Sequence, residues 1–109
     1  MLEPLLDSEI KEKALLFILL NGESYPREIA KTFDFHPHAV QYQLRKLEEG
    51  AILYSKLKGK IRLFGFNPRN PFRKELTALL EKALAFYPEA EKSRFAPARL
   101  RPRRTGKPL

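Results

Sequence analysis

Residues 25–62 leave this chain few folds to choose from. They read YPREIAKTFDFHPHAVQYQLRKLEEGAILYSKLKGKIR. Two apolar patterns of helical spacing are joined by a short break, and two strand-like runs follow around a basic tip. In the first pattern Pro26 stands in the opening turn, where no intrahelical N–H partner is needed. Ile29, Ala30 and Phe33 then form a narrow apolar stripe over about two turns. Asp34, Phe35 and His36 make the break, and Phe35 is expected to point inward and set the angle between the helices. The second pattern opens at Pro37 and ends at Gly50, a common helix stop. Val40, Leu44 and Leu47 recur at i, i+4 and i+7, so they face a core. The opposite face carries His38, Gln41, Tyr42 and Arg45, with Glu48 and Glu49 at the far end.

The runs 52–56 and 61–66 are rich in β-branched and aromatic residues and read as strands. Residues 57–60 are expected to turn between them, with Gly59 free to take a positive φ. A lone hairpin is marginal in water, so this one has to lean on the helices through Ile52, Leu63 or Phe66. The whole stretch reads as a helix-turn-helix followed by a wing. The fold class expected is mainly α with a small β-hairpin and a trailing C-terminal helix.

The flanks supply scaffold. Residues 1–7 look like a loose lead. Asp7 or Ser8 can cap a helix over 9–20, which is so apolar in its second half that it must be mostly buried. Asn21 and Gly22 end it. After the turn-rich 67–71, a further helix is predicted from Pro71 or Phe72 to about Tyr87. Phe72, Leu76, Leu79, Leu80, Ala83, Leu84 and Tyr87 recur there at spacings of three and four. Pro88 stops it. Three segments result: a lead over 1–7, a domain over 8–87 and a basic tail over 88–109.

The net charge of +8 is unevenly placed. Residues 92–109 hold seven basic side chains and no acid, whereas residues 1–91 hold 14 basic against 13 acidic. A nearly neutral domain thus carries a polycationic tail, and such a block attracts polyanions, nucleic acid above all. The tail beyond Lys92 holds too few core formers to fold alone. No apolar run approaches the roughly 18 residues of a membrane span; the longest, 14–20, has seven. With no cleavage-site pattern and no cysteine, the expected setting is the cytoplasm, with no membrane partner.

The order of these elements resembles the winged helix-turn-helix regulators of bacteria and archaea, most closely their ArsR-like branch. The residues that carry the resemblance are REIAKTFDFHPHAVQYQLRKLEEGAIL, the wing LYSKLKGKIRLFGF and the connector NPRNPF, within residues 8–87. It implies a DNA-binding regulator, usually a homodimer, whose second motif helix reads the groove while the wing touches backbone or minor groove. Metal-sensing members use cysteine pairs or sets of His and acidic ligands. This chain has no cysteine, and His36 and His38 around Pro37 do not complete a zinc-type ligand set. No metal and no cofactor are expected. No residues single out a small-molecule effector.

The expected function is that of a sequence-specific DNA-binding transcriptional regulator, a dimeric repressor. Its helix 37–49 would read the major groove, and its wing 56–62 the backbone or minor groove. On that helix Gln41 can donate and accept at an adenine edge and Arg45 can fork onto guanine or grip a phosphate. His38 lies near backbone N–H groups that favour a phosphate, and Tyr42 can bond or pack on a sugar. At the wing Lys58, Lys60 and Arg62 suit phosphate or minor-groove contact, although charge on an edge hairpin also guards against aggregation. Arg99, Arg101, Arg103 and Arg104 would track DNA, because counterion release rewards a basic arm without demanding structure. Leu76, Leu80, Ala83, Leu84 and Tyr87 are expected to meet a second copy across a two-fold axis. The alternative is a winged-helix adaptor whose tail docks on a partner or binds nucleic acid without specificity. RNA binding lacks a visible aromatic platform. An enzyme is not expected: there is no P-loop, no glycine-rich nucleotide fingerprint and no nucleophile–base pair at familiar spacing.

Overall fold

A computed structural model describes residues 1–95 of the chain. The elements run α1 (Glu3–Leu6), α2 (Glu9–Asn21), β1 (Glu23–Ser24), α3 (Pro26–Phe33), α4 (Pro37–Glu49), β2 (Leu53–Lys58), β3 (Ile61–Phe66), α5 (Arg73–Ala85) and α6 (Glu89–Phe95). Helix α2 is the centre. Ser8 caps it, its Oγ accepting from the Lys11 N–H at 3.1 Å. The consecutive residues Ala14, Leu15, Leu16, Phe17 and Ile18 are all buried. A helix buried right round needs neighbours on every side, and α1, α3, α4, α5, α6, β1 and β3 all touch it. Gly22 ends it with φ 85°.

The remaining core comes from one stripe of each neighbour. Helix α3 gives Ile29, Ala30 and Phe33, α4 gives Val40, Leu44 and Leu47, and α5 gives Leu80 and Ala83. Asp34 ends α3 in the left-handed region, and Phe35 is half-buried with its ring 6.0 Å from that of Phe33. The angle between the two motif helices is thus held by aromatic packing, as the sequence leads one to expect.

The sheet holds a third strand that the sequence reading passes over. The order is β1-β3-β2, all antiparallel, with Ser24 opposite Phe64 and Glu23 opposite Gly65. Two residues show no alternation, so β1 is invisible to periodicity. The hairpin turn is also tighter than residues 57–60. Lys58 pairs with Ile61, which leaves Gly59 and Lys60 as a two-residue loop. Gly59 has φ 64° there, the sign a type II′ turn needs at its first central position.

Both ends of the described stretch pack more fully than the sequence reading has it. The lead contains the single turn α1, and Leu2 and Leu6 lie against the core. Beyond Pro88 the chain forms α6, and Phe95 is fully buried. A seven-residue helix with one core side chain carries no periodic signal, but its one aromatic ring finds a slot between Tyr87 and Phe33, at 5.4 and 5.2 Å.

The predicted two-fold face of α5 takes a different role. Leu80, Ala83 and Tyr87 are buried within the single chain, and Leu76 and Leu84 are half-buried against the same core. Their stripe is used on α2, so these residues do not present a free face to a second copy. Tyr87 donates a hydrogen bond to the buried Glu12 carboxylate, whose other oxygen lies 3.2 Å from the Met1 α-amine. Phe72 and Leu79, read as part of that stripe, are exposed by 69% and 38%. Among the described residues no helix is long and apolar enough to cross a membrane.

Candidate nucleic-acid interface

Helix α4 begins at Pro37, with His36 as its cap. The His36 Nδ1 accepts from the His38 backbone N–H at 3.2 Å, and the two imidazoles stack at 5.5 Å. The sequence reading placed His36 in the break but gave it no capping role, because histidine is not among the usual capping residues. From this start His38, Gln41, Tyr42 and Arg45 fall at i, i+3, i+4 and i+7. All four are exposed on the face opposite Val40, Leu44 and Leu47. The Lys46 ammonium lies 5.5 Å from the centre of the Tyr42 ring.

Strand alternation then sorts the wing. Side chains directly opposite each other share a face, so Leu57 and Arg62 lie on one face of the hairpin and Lys58 and Ile61 on the other. The first face turns toward α4: Arg62 donates to the Ser55 Oγ at 2.9 Å, and Ser55 donates to Glu48 of α4 at 2.6 Å. Lys60 stands in the turn.

Three elements meet around one open cleft of about 570 Å³. Pro37, His38 and Gln41 line it from α4, Tyr25, Pro26 and Arg27 from the start of α3, and Lys60, Ile61 and Arg62 from the wing. Its cations are therefore Arg27, Lys60 and Arg62. The structure brings His38, Gln41, Lys60 and Arg62 together. Tyr42 and Arg45 lie further along the same helix face, outside the cleft lining. Lys58 sits on the other hairpin face, where its charge acts on Glu23. Tyr25 and Ile61 belong to the cleft without having been expected there, and so does Arg27, which the sequence allows as a phosphate contact but favours as a solvated charge. Proline at the first turn of α3 was the available signal, since it puts residues 25–27 at a helix start. Arg99, Arg101, Arg103 and Arg104 lie outside the described residues.

The wing is held in place from behind. The Glu23 carboxylate accepts from the Tyr54 hydroxyl and lies 3.0 Å from the Lys56 ammonium. The Tyr54 hydroxyl, then Lys56, keep that carboxyl below its ordinary range, while Glu23 pushes the phenol up to about 12. Tyr54 can reach Glu23 only because Gly65 stands between them: a Cβ on Gly65 would fall 2.6 Å from the Tyr54 hydroxyl oxygen. Lys56 is thereby engaged within the sheet. Among the described residues no three His, Cys, Asp or Glu side chains gather as a metal-ligand group.

A buried helix, a helix-turn-helix and a hairpin wing closed by a third strand define the winged helix-turn-helix fold. Solved structures of Lactococcus lactis ZitR share it. A double mutant in apo form aligns over 84% of this chain and 78% of its own, at 21% identity and a TM-score of 0.54. A second, singly substituted ZitR aligns over 79% and 66%, at 22% identity and 0.55. At this identity the likeness is one of fold. No protein-family model and no curated protein sequence matches the chain.

Proposed function

We propose that the chain is a DNA-binding transcriptional regulator of the ArsR-like type, acting in the cytoplasm by binding and not by catalysis. The observation that carries this reading is convergence. The exposed, acid-free first turns of α4, with His38 and Gln41, and two wing cations, Lys60 and Arg62, border the same cleft. Helix α4 enters the major groove, with Gln41 and Arg45 at base edges, His38 near a phosphate and Tyr42 on the sugar–phosphate wall. Arg27, Lys60 and Arg62 grip the backbone on either side. Lys58 contributes to the general field of the wing.

The regulator works as a homodimeric repressor, so that two copies of α4 read half-sites about one helical turn apart. The second copy would meet the outer side of α5, because the monomer core takes up the stripe of Leu80 and Leu84. There Leu79 is exposed by 38% and Phe86, just past the helix end, by 69%.

Selection from a pool of randomised duplexes tests the reading. The expected outcome is an enriched, roughly palindromic motif. Gln41→Ala and Arg45→Ala should each weaken binding to it by about 1–3 kcal/mol, the worth of a good bidentate base contact. Lys60→Ala should weaken selected and unselected duplexes alike. Binding that never enriches a sequence would sink the regulator reading.

A further inference from the structure

Two side chains of the cleft have no task in the fold. Tyr25 stands at the cap position of α3, where a short polar side chain ordinarily accepts from the first open N–H groups. Its own side chain makes no cap bond. Ile61, opposite Lys58 near the wing tip, is exposed by 43% and takes no part in the core. Both line the same cleft of about 570 Å³, one from the start of α3 and one from β3. Pro26 and Pro37 add ring carbons to that lining and no N–H. Arg27, Lys60 and Arg62 supply its charge, and no acid borders it. Apolar surface and positive charge thus share one open cleft. A free phosphate would leave the apolar walls unused, and an apolar ligand would leave three cations unused. A sugar–phosphate strand uses both, because carbon-rich deoxyribose and anionic phosphate alternate along it.

We infer that one DNA strand passes through this cleft and that Tyr25 and Ile61 clamp its deoxyribose, while Arg27, Lys60 and Arg62 meet the phosphates on either side of that sugar. The inference rests on the DNA-binding reading and adds two uncharged contact residues and the sugar as what they recognise. The path of the strand follows from the duplex itself. Its two grooves are separated by single backbone strands, so α4 in the major groove and the wing beside it straddle one of them. The cleft between α4 and the wing is the space that strand takes. A sugar contact carries no base information. It fixes the position of the protein on the duplex, and here it sets how α4 lies in the groove. Tyr25 occupies the cap position of α3 at the expense of a cap bond, and Ile61 occupies a solvent-facing strand position where a charge would serve solubility better. Contact with the carbon face of a sugar accounts for both.

Two measurements on the full chain test this, with variants chosen to keep the fold. Tyr25→Ser places a good capping side chain at the start of α3, and Ile61→Thr keeps the β-branch that a strand favours, so both should melt near the unaltered chain. In the first measurement each is titrated against a mixed-sequence 30-base-pair duplex at several salt concentrations. Binding should fall about three- to tenfold, as the loss of roughly 30–50 Å² of apolar contact predicts. The factor should be the same at every salt concentration, because no cation is lost. Lys60→Ala, in contrast, should lower the slope of log K against log salt by about 0.9. The second measurement reads the sugars directly, by hydroxyl-radical cleavage of the selected duplex. The unaltered chain should protect a short run of deoxyriboses on one strand of each half-site. Saturating Tyr25→Ser or Ile61→Thr should expose that run and leave the other protections in place. Equal affinity, a loss that changes with salt, or unchanged protection overturns the clamp and leaves the regulator reading standing. An unaltered chain that binds no duplex overturns both.

Discussion

Gly65 is the smallest residue with a large consequence. Tyr54 lies across it to reach Glu23, and the three positions form one cross-strand row. Gly65→Ala should push the ring away and cost about 1–3 kcal/mol, the usual penalty for overpacking. Adding Tyr54→Ala should remove most of the extra cost, a coupling that thermal melts of the four proteins in a double-mutant cycle would detect. Independent, additive losses would show that the ring does not need the glycine. Glu12 makes a prediction about pH. Burial works to raise its carboxyl, but the Tyr87 hydroxyl, the Leu2 N–H and the Met1 α-amine outweigh burial and hold it below the ordinary 4.5. The unfolded chain therefore takes up the proton first. The stability Glu12 adds is complete above about pH 4.5 and is lost as pH falls through the lower, folded value. Tyr87 behaves in the opposite sense: burial and then Glu12 raise it, so its contribution is lost as pH climbs above the ordinary 10. Glu12→Gln should flatten the acid side of a melting-temperature profile. At neutral pH it should also cost about 1.5–3 kcal/mol, as expected for losing a hydrogen bond to a charged group.

At the scale of elements, α4 was the most legible part of the chain. Its buried stripe recurs every three or four residues, so the outward face of His38, Gln41, Tyr42 and Arg45 follows from periodicity alone. The hairpin was less legible. Its two runs stand out by composition, but pairing register decides that Arg62 turns toward α4 while Lys58 turns away. A shift of one residue would exchange those faces. The link from Glu48 through Ser55 to Arg62 then fixes the wing against the helix. Ser55→Ala removes both hydrogen bonds of this link and should cost the fold about 1–3 kcal/mol, at a net worth of roughly 0.5–1.5 kcal/mol each. It should reduce duplex binding through a mispositioned Arg62. Unchanged binding would mean that the link has no role in DNA contact. At the other end of the core, Ser8→Ala should cost about 1 kcal/mol through the lost cap of α2.

For the molecule as a whole, the question is where α5 spends its apolar face. Leu80 is fully buried against the monomer core. Leu80→Ala should therefore cost about 2–5 kcal/mol by the cavity it leaves, with a melting shift independent of protein concentration. A shift that grows on dilution would instead place Leu80 between subunits. On the proposed dimer, Leu79→Ser and Phe86→Ser should leave the melting temperature of the monomer nearly unchanged and lower self-association in sedimentation; equal self-association would overturn that interface. The candidate interface shows the same division between local and global information. Gln41 and Lys60 are 19 positions apart in sequence and border one cleft. Arg27 joins them only because α3 and the wing approach the start of α4 from two sides.

The sequence by itself determined the order and type of the long elements and the buried side of each motif helix. These properties are written in spacings of two to four residues, and a helix or strand repeats on that scale. It also determined that positive charge gathers at the chain's end. The tertiary structure alone decided the rest: that Glu23 and Ser24 pair with β3, that α5 covers α2, and that Phe95 seats on Phe33. Each of these is a contact between residues far apart in the chain. Its formation depends on which apolar surface remains uncovered once the other elements have packed, and no local pattern records that.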